Sequence, residues 1–205
     1  MPNPAVKPVP DVVSIGEIKA IGERYMDSEI RALFYFLYLT GGRISEVMDI
    51  RIRDLELIKD AEGREIFKVH LLTRKNRRQK YRDIPVVLGN VETDMVDYIF
   101  KWIETFENAD PERKLFPDLN VDSGYQHIAK QKIKINATLG LNHFPDYVLR
   151  IHPHYLRHCR LTHLVQLYGF SDTALTRFAG WSNSAPAQIY VNLNWSDLVR
   201  LMRSK

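Results

Sequence analysis

The sequence predicts an α+β domain, mainly α-helical, with a small antiparallel sheet or β-hairpin in its N-terminal half. Three observations carry that prediction. Apolar residues recur at helical spacing over most of the chain, as at Ile30, Leu33, Phe34, Leu37 and Tyr38. The period switches to two where Phe67, Val69 and Leu71 alternate with Lys68, His70 and Leu72. The length, 205 residues, suffices for one well-cored domain.

Pro2, Pro4, Pro8 and Pro10 make residues 1–13 an extended lead-in, and residues 14–205 are read as the domain. Ser14 and Glu17 form a capping box for a first helix that runs to Tyr25. The helix carrying Ile30 to Tyr38 ends at Gly41-Gly42, and a further helix is expected over Arg43 to Ile50. A short strand near Leu55 to Ile58, the strand of Phe67 to Leu71 and a return strand at 82–86 make the sheet. A long helix follows over 91–106, with Met95, Tyr98, Ile99, Trp102 and Phe106 on one face. Leu115 to Asp118 is a turn, and Tyr125 to Leu139 is helical, closed by Gly140. Pro153 opens a helix whose buried side holds Leu156, Cys159, Leu164 and Leu167. Ser171 caps a short helix to Ala179 with Gly180 past its end, and Ser184 and Pro186 open another around Tyr190. Asn194 caps an amphipathic tail bearing Trp195, Leu198, Leu201 and Met202.

Composition narrows the function classes. Charged residues at 26% and hydrophobic ones at 45% suit a soluble globular chain. A single cysteine, Cys159, excludes an intramolecular disulfide and cannot by itself build a cysteine zinc site. No apolar run reaches the length of a membrane span and the start has no signal-peptide pattern, so the expected location is cytoplasmic. A net charge of +4 permits a nucleic-acid partner without arguing for one; clustering does more. Residues 74–82 read RKNRRQKYR, six basic residues with no acid, at the tip of the hairpin.

Four signals then fall in a fixed order. Thr40-Gly41-Gly42-Arg43-Ile44-Ser45-Glu46-Val47 comes first, the basic hairpin second, Pro153-His154-Tyr155-Leu156-Arg157-His158 third, and Ala179-Gly180-Trp181 nine residues before Tyr190 last. This set resembles the catalytic domain of the tyrosine recombinases, the phage-integrase and Xer family, from about Asp11 to Trp195. The resemblance implies the tyrosine-recombinase catalytic-domain fold and a site-specific recombinase or integrase. Such an enzyme cleaves and religates duplex DNA through a 3′-phosphotyrosyl intermediate, without metal or cofactor. By this likeness Tyr190 is the nucleophile, and Arg43 and Arg157 stabilise the charge that builds on phosphorus. His154 is a phosphate donor or proton acceptor. Lys75 protonates the leaving 5′ oxygen, with Arg77 and Lys80 as alternatives for that role. Trp181 stands where many members carry histidine; its indole N–H can donate to a phosphate oxygen. Glu46 supports an arginine or histidine, and Arg74, Arg77, Arg78 and Lys80 contact DNA.

The chemistry suits those residue types. Guanidinium groups stay charged and donate in a planar fork, which fits a phosphoryl transition state. A phenol must lose its proton as it attacks. Bland readings stand beside these: Arg157 pairing with Glu46, and His158 and His163 simply packed. His152, His154 and His158 lack a carboxylate at ligand spacing and are not read as a metal site. Two other functions stay open, a type IB topoisomerase and a non-catalytic DNA-binding regulator. The family usually adds an N-terminal clamp domain, which this chain is expected to lack. The implied assembly is a homotetramer in a DNA synapse, monomeric when free, with the tail docked on a neighbour or on its own domain.

Overall fold

The computed structural model of the chain describes residues 12–73, 80–87, 91–106, 108–138 and 151–191; of residues 80 and 130–138 it describes the backbone alone. The helices are α1 (Ile15–Tyr25), α2 (Ser28–Thr40), α3 (Ile44–Val47), α4 (Thr93–Glu104), α5 (Val121–Thr138), α6 (Pro153–Gln166), α7 (Asp172–Ala179) and α8 (Ala185–Val191). Between α3 and α4 lies a sheet of β1 (Leu55–Lys59), β2 (Glu65–Thr73) and β3 (Lys80–Val87), antiparallel and in that order. The expected class, mainly helical with one small antiparallel sheet, is the one observed.

α1 opens on the expected capping box: Ser14 Oγ accepts from the Glu17 amide and a Glu17 carboxylate oxygen accepts from the Ser14 amide. α2 is the axis of the fold. Its sequence shows one apolar stripe, but Ala32 through Thr40 are all buried, because α1, α4, α5, α6 and β3 surround it. Gly41 ends it in the left-handed region at φ 55°, where a glycine costs no steric strain.

The helix expected over Arg43 to Ile50 is shorter. α3 stops at Val47, and the chain beyond it is tied to the 113–115 segment: Ile50 accepts from the Leu115 amide and Ile52 donates to the Arg113 carbonyl, each at 3.0 Å. The sheet follows the pleat. Phe67, Val69, Leu71 and Thr73 of β2 face inward, and so do Arg82, Ile84 and Val86 of β3. Register pairs Val69 with Ile84 and Leu71 with Arg82. The hairpin tip, residues 74–79, lies outside the described residues, as do Leu139, Gly140 and the tail from residue 192.

α5 starts four residues before the expected Tyr125, since Asn120 and Ser123 cap it reciprocally. Leu167 does not line the core as expected. α6 ends at Gln166 and Leu167 is 56% exposed, just before the chain reverses at Gly169, φ 66°. α6 packs along α2 and brings α7 and α8 with it. Near their junction lies a buried polar knot. Glu92 at the head of α4 accepts from Arg160, from Tyr168 at 2.7 Å and from Tyr38 at 3.3 Å, and His163 Nδ1 lies 2.9 Å from the Tyr38 hydroxyl. Arg160 and Glu92 are almost fully buried, so each neutralises a charge that water cannot reach.

Candidate functional site

The turn after α2 builds one wall of the site. Thr40 Oγ1 donates to the Phe36 carbonyl and accepts from the Gly42 amide, which fixes the exit from the helix. A Cβ on Gly42 would stand 2.6 Å from Val47, so only glycine lets α3 fold back this tightly. Arg43 then caps α3 from an extended conformation and leads its side chain into a cleft. Its Nη1 donates to Glu46 Oε1 at 2.7 Å, and its amide donates to Glu46 Oε2 at 3.1 Å.

Glu46 is 1% exposed and is held from a second side by Arg82, whose Nη2 donates to Oε2 at 3.0 Å. Burial pushes the Glu46 carboxyl up, but the two guanidiniums and the Arg43 amide outweigh it and hold the carboxyl below its ordinary range. Arg82 also donates to Thr73 Oγ1 at 2.7 Å across the hairpin. Sequence reasoning gives Arg82 a place in the basic run and at the start of the return strand but no role in the site. The signal was there: Arg82 keeps step with Ile84 and Val86 on the inward face of β3, where an unpaired charge is untenable.

Arg157 sits on α6 facing the same cleft, 3% exposed. It does not pair with Glu46. Its Nη1 donates to the Gly41 carbonyl and its Nη2 to the Ala179 carbonyl at 2.9 Å, so one guanidinium ties the end of α2 to the end of α7. Burial first, then Arg43 and Arg82, push it down to about 10, which still leaves it charged at neutral pH. Three guanidiniums thus stand against one buried carboxylate, an excess of positive charge that favours an anion.

The other wall comes from α7 and α8. Gly180 turns at φ 69°, the Trp181 amide donates to the Thr176 carbonyl, and Trp181 is presented over Arg157, whose Cζ lies 5.8 Å from the indole centroid. Trp181 stacks on Tyr190 at 6.0 Å and 23°. The Tyr190 hydroxyl lies 2.9 Å from His158 Nδ1, so His158 is more than the packed residue that the sequence alone suggests. The i, i+1 relation to Arg157 gave no warning of it, since contact depends on where α8 lands. Burial raises the Tyr190 phenol above its ordinary range, opposed by Arg157. His154 is exposed on the first turn of α6 and lines the cleft.

Of the residues singled out from the sequence, Arg43, His154, Arg157, Trp181 and Tyr190 border one cleft of about 530 Å³, with Glu46 behind Arg43. A second cleft of about 780 Å³ adjoins it, reaching Thr73, Tyr81 and Arg82 on the hairpin. Arg74, Lys75, Arg77 and Arg78 lie outside the described residues, and of Lys80 the backbone alone is described. Among the described residues no group of three or more His, Cys, Asp or Glu could hold a metal ion. Nor is any described helix long and apolar enough to cross a membrane.

The profile of the phage integrase family matches residues 16–196. Tyrosine recombinase XerD of Rickettsia bellii is 26% identical over 209 residues, covering 95% of this chain. Tyrosine recombinase XerC of Bacillus licheniformis is 27% identical over 177 residues, covering 83% of this chain and 51% of its own length. The chain spans 63% of the length of the Rickettsia XerD relatives. In fold it is similar to the crystal structure of XerA recombinase, with a TM-score of 0.65 at 20% identity, covering 96% of this chain and 66% of that one. It is also similar to XerH recombinase bound to its difH substrate, with a TM-score of 0.61 at 18% identity, covering 98% and 56%. The Tn1549 transposon integrase with circular intermediate DNA gives a TM-score of 0.62 at 19% identity, covering 94% and 65%.

Proposed function

Because the chain belongs to the phage integrase family, we propose that it is the strand-cleaving domain of a tyrosine-type site-specific DNA recombinase or integrase. Residues 14–205 form that domain, and duplex DNA is its substrate. One observation carries the reading: Tyr190 lines the same cleft as Arg43 and Arg157. A nucleophile and an excess of buried positive charge are the two parts that phosphodiester cleavage needs.

In this mechanism the scissile phosphate enters the cleft and its non-bridging oxygens accept from Arg43 and Arg157. Trp181 Nε1 and His154 add donors at the edge. Tyr190 Oη attacks phosphorus, the bond to the 5′ oxygen breaks, and that oxygen leaves as a hydroxyl after taking a proton from the hairpin. Lys75 supplies it, with Arg77 and Lys80 the alternatives, while Arg74, Arg77, Arg78 and Lys80 hold the DNA backbone. Glu46 and Arg82 keep Arg43 and the hairpin in place. The phosphotyrosyl bond conserves the energy of the broken linkage, so religation needs no nucleotide and no cofactor. Exchange between two sites requires several active sites together, which points to a DNA-bound homotetramer assembled from free monomers. The similarity to recombinase–DNA complexes supports a duplex partner for this chain.

A nicked suicide duplex tests the reading, because cleavage near the nick releases a short product and traps the adduct. Wild type yields a covalent protein–DNA band on a denaturing gel, in EDTA as well, and Tyr190→Phe yields none. Absence of the band from folded wild-type protein on every duplex tried contradicts the reading.

A further inference from the structure

Resting on that reading, we infer that His158, rather than His154, takes the phenol proton of Tyr190 as the tyrosine attacks. His158 Nδ1 stands 2.9 Å from the Tyr190 hydroxyl, with the ring centroids 5.1 Å apart and inclined at 53°. That is hydrogen-bond reach for a general base before any substrate arrives. His154, one turn earlier, is exposed where α6 begins and its ring lies parallel to that of His152 at 6.4 Å, a place suited to a phosphate oxygen.

The far side of the His158 ring permits the tautomer that this step needs. Nε2 is buried and finds no partner among the described residues, so nothing there competes for the ring's orientation or tautomer. With the proton on Nε2, the Nδ1 lone pair faces the phenol. Burial, reinforced by neighbouring His154, lowers the His158 pKa and keeps the ring neutral and ready to accept. Burial likewise keeps the phenol protonated until a base removes the proton.

The step balances. The O–H bond of Tyr190 breaks as its proton passes to Nδ1, the phenolic oxygen bonds to phosphorus, and the bond from phosphorus to the 5′ oxygen breaks. The 5′ oxygen takes a proton from the hairpin acid. Religation reverses each transfer and returns the His158 proton to the phenol.

Single-turnover cleavage at saturating DNA tests this with His158→Ala and His158→Asn, each on an ordinary suicide duplex and on one with sulfur replacing the bridging 5′ oxygen. Sulfur leaves without a proton, so it restores variants that lack the acid and not those that lack the base. Both variants should bind DNA like wild type, unfold at similar temperature, and cleave either duplex about 100-fold more slowly. Asparagine can accept the phenol's hydrogen bond but cannot take its proton. Recovery in His158→Asn therefore reduces His158 to a positioning role and overturns the inference. So does wild-type speed in His158→Ala, or rescue by sulfur. If wild-type protein forms no adduct at all, the parent reading fails, and the pairing is tested separately by ¹⁵N histidine NMR. There the expected result is a neutral Nε2–H ring at His158 whose Nδ1 signal moves in Tyr190→Phe; an Nδ1–H ring overturns the inference.

Discussion

Arg157 shows how much can hang on one side chain. Its fork reaches the Gly41 carbonyl on one side and the Ala179 carbonyl on the other, while the charge faces the cleft. A lysine keeps the charge but has neither the reach for two carbonyls nor the planar fork. Arg157→Lys should therefore retain DNA binding and lower the single-turnover cleavage rate by about 100- to 1,000-fold. Equal rates in the two proteins would remove Arg157 from the transition state. At this scale the sequence told part of the story. Arg43, His154, Arg157, Trp181 and Tyr190 were legible because they stand in ordered motifs, and the structure places them around one cleft. Arg82 and the His158 contact were not, since each depends on a partner brought from a distant element: Glu46 on α3 for one, Tyr190 on α8 for the other.

At the scale of elements, the site depends on joints between helices. Gly180 makes the turn that presents Trp181, and a Cβ there would lie 2.9 Å from both Arg82 Nη1 and Thr73 Oγ1. Gly180→Ala should cost about 1–2 kcal/mol from the left-handed backbone alone, with further loss from displaced Arg82; denaturant unfolding measures it. The second joint is the Glu92 knot beneath α6. Glu92→Gln leaves the Arg160 charge buried without its counter-ion and should destabilise by about 3–5 kcal/mol, seen as a lower midpoint in urea. His163 adds a pH dependence to the same knot. Burial, with Arg160 nearby, pushes its pKa down to about 4 from the ordinary 6.5, so the unfolded chain takes up the proton first. Stability is therefore complete above about pH 6.5 and declines toward pH 4, by at most about 1.4 kcal/mol per unit for this group. Comparing wild type with His163→Gln at pH 7 and pH 5 should show a smaller loss in the variant. The length of α3 and the start of α5 escaped sequence reading for related reasons. α3 stops short of Ile50 and Ile52, which bond to the 113–115 segment, and α5 starts early on the Asn120–Ser123 cap.

The whole molecule is organised around α2, buried on every side, with the sheet and the later helices laid against it so that two distant parts of the chain meet. Arg43 and Tyr190 are far apart in sequence, and it is the packing of α6 against α2 that brings them to one cleft. The fold class was readable because period-3.6 and period-2 segments are local and strongly marked in this chain. The meeting of the two ends was readable only through the family's motif order, since no local periodicity encodes it. The central claim is that this convergence exists to make Tyr190 a nucleophile toward DNA. Its most direct measurement is to digest the trapped protein–DNA adduct and map the linkage by mass spectrometry. The predicted result is a nucleotide joined through its 3′-phosphate to the peptide bearing Tyr190. A linkage on any other residue, or folded wild-type protein that forms none, would contradict it.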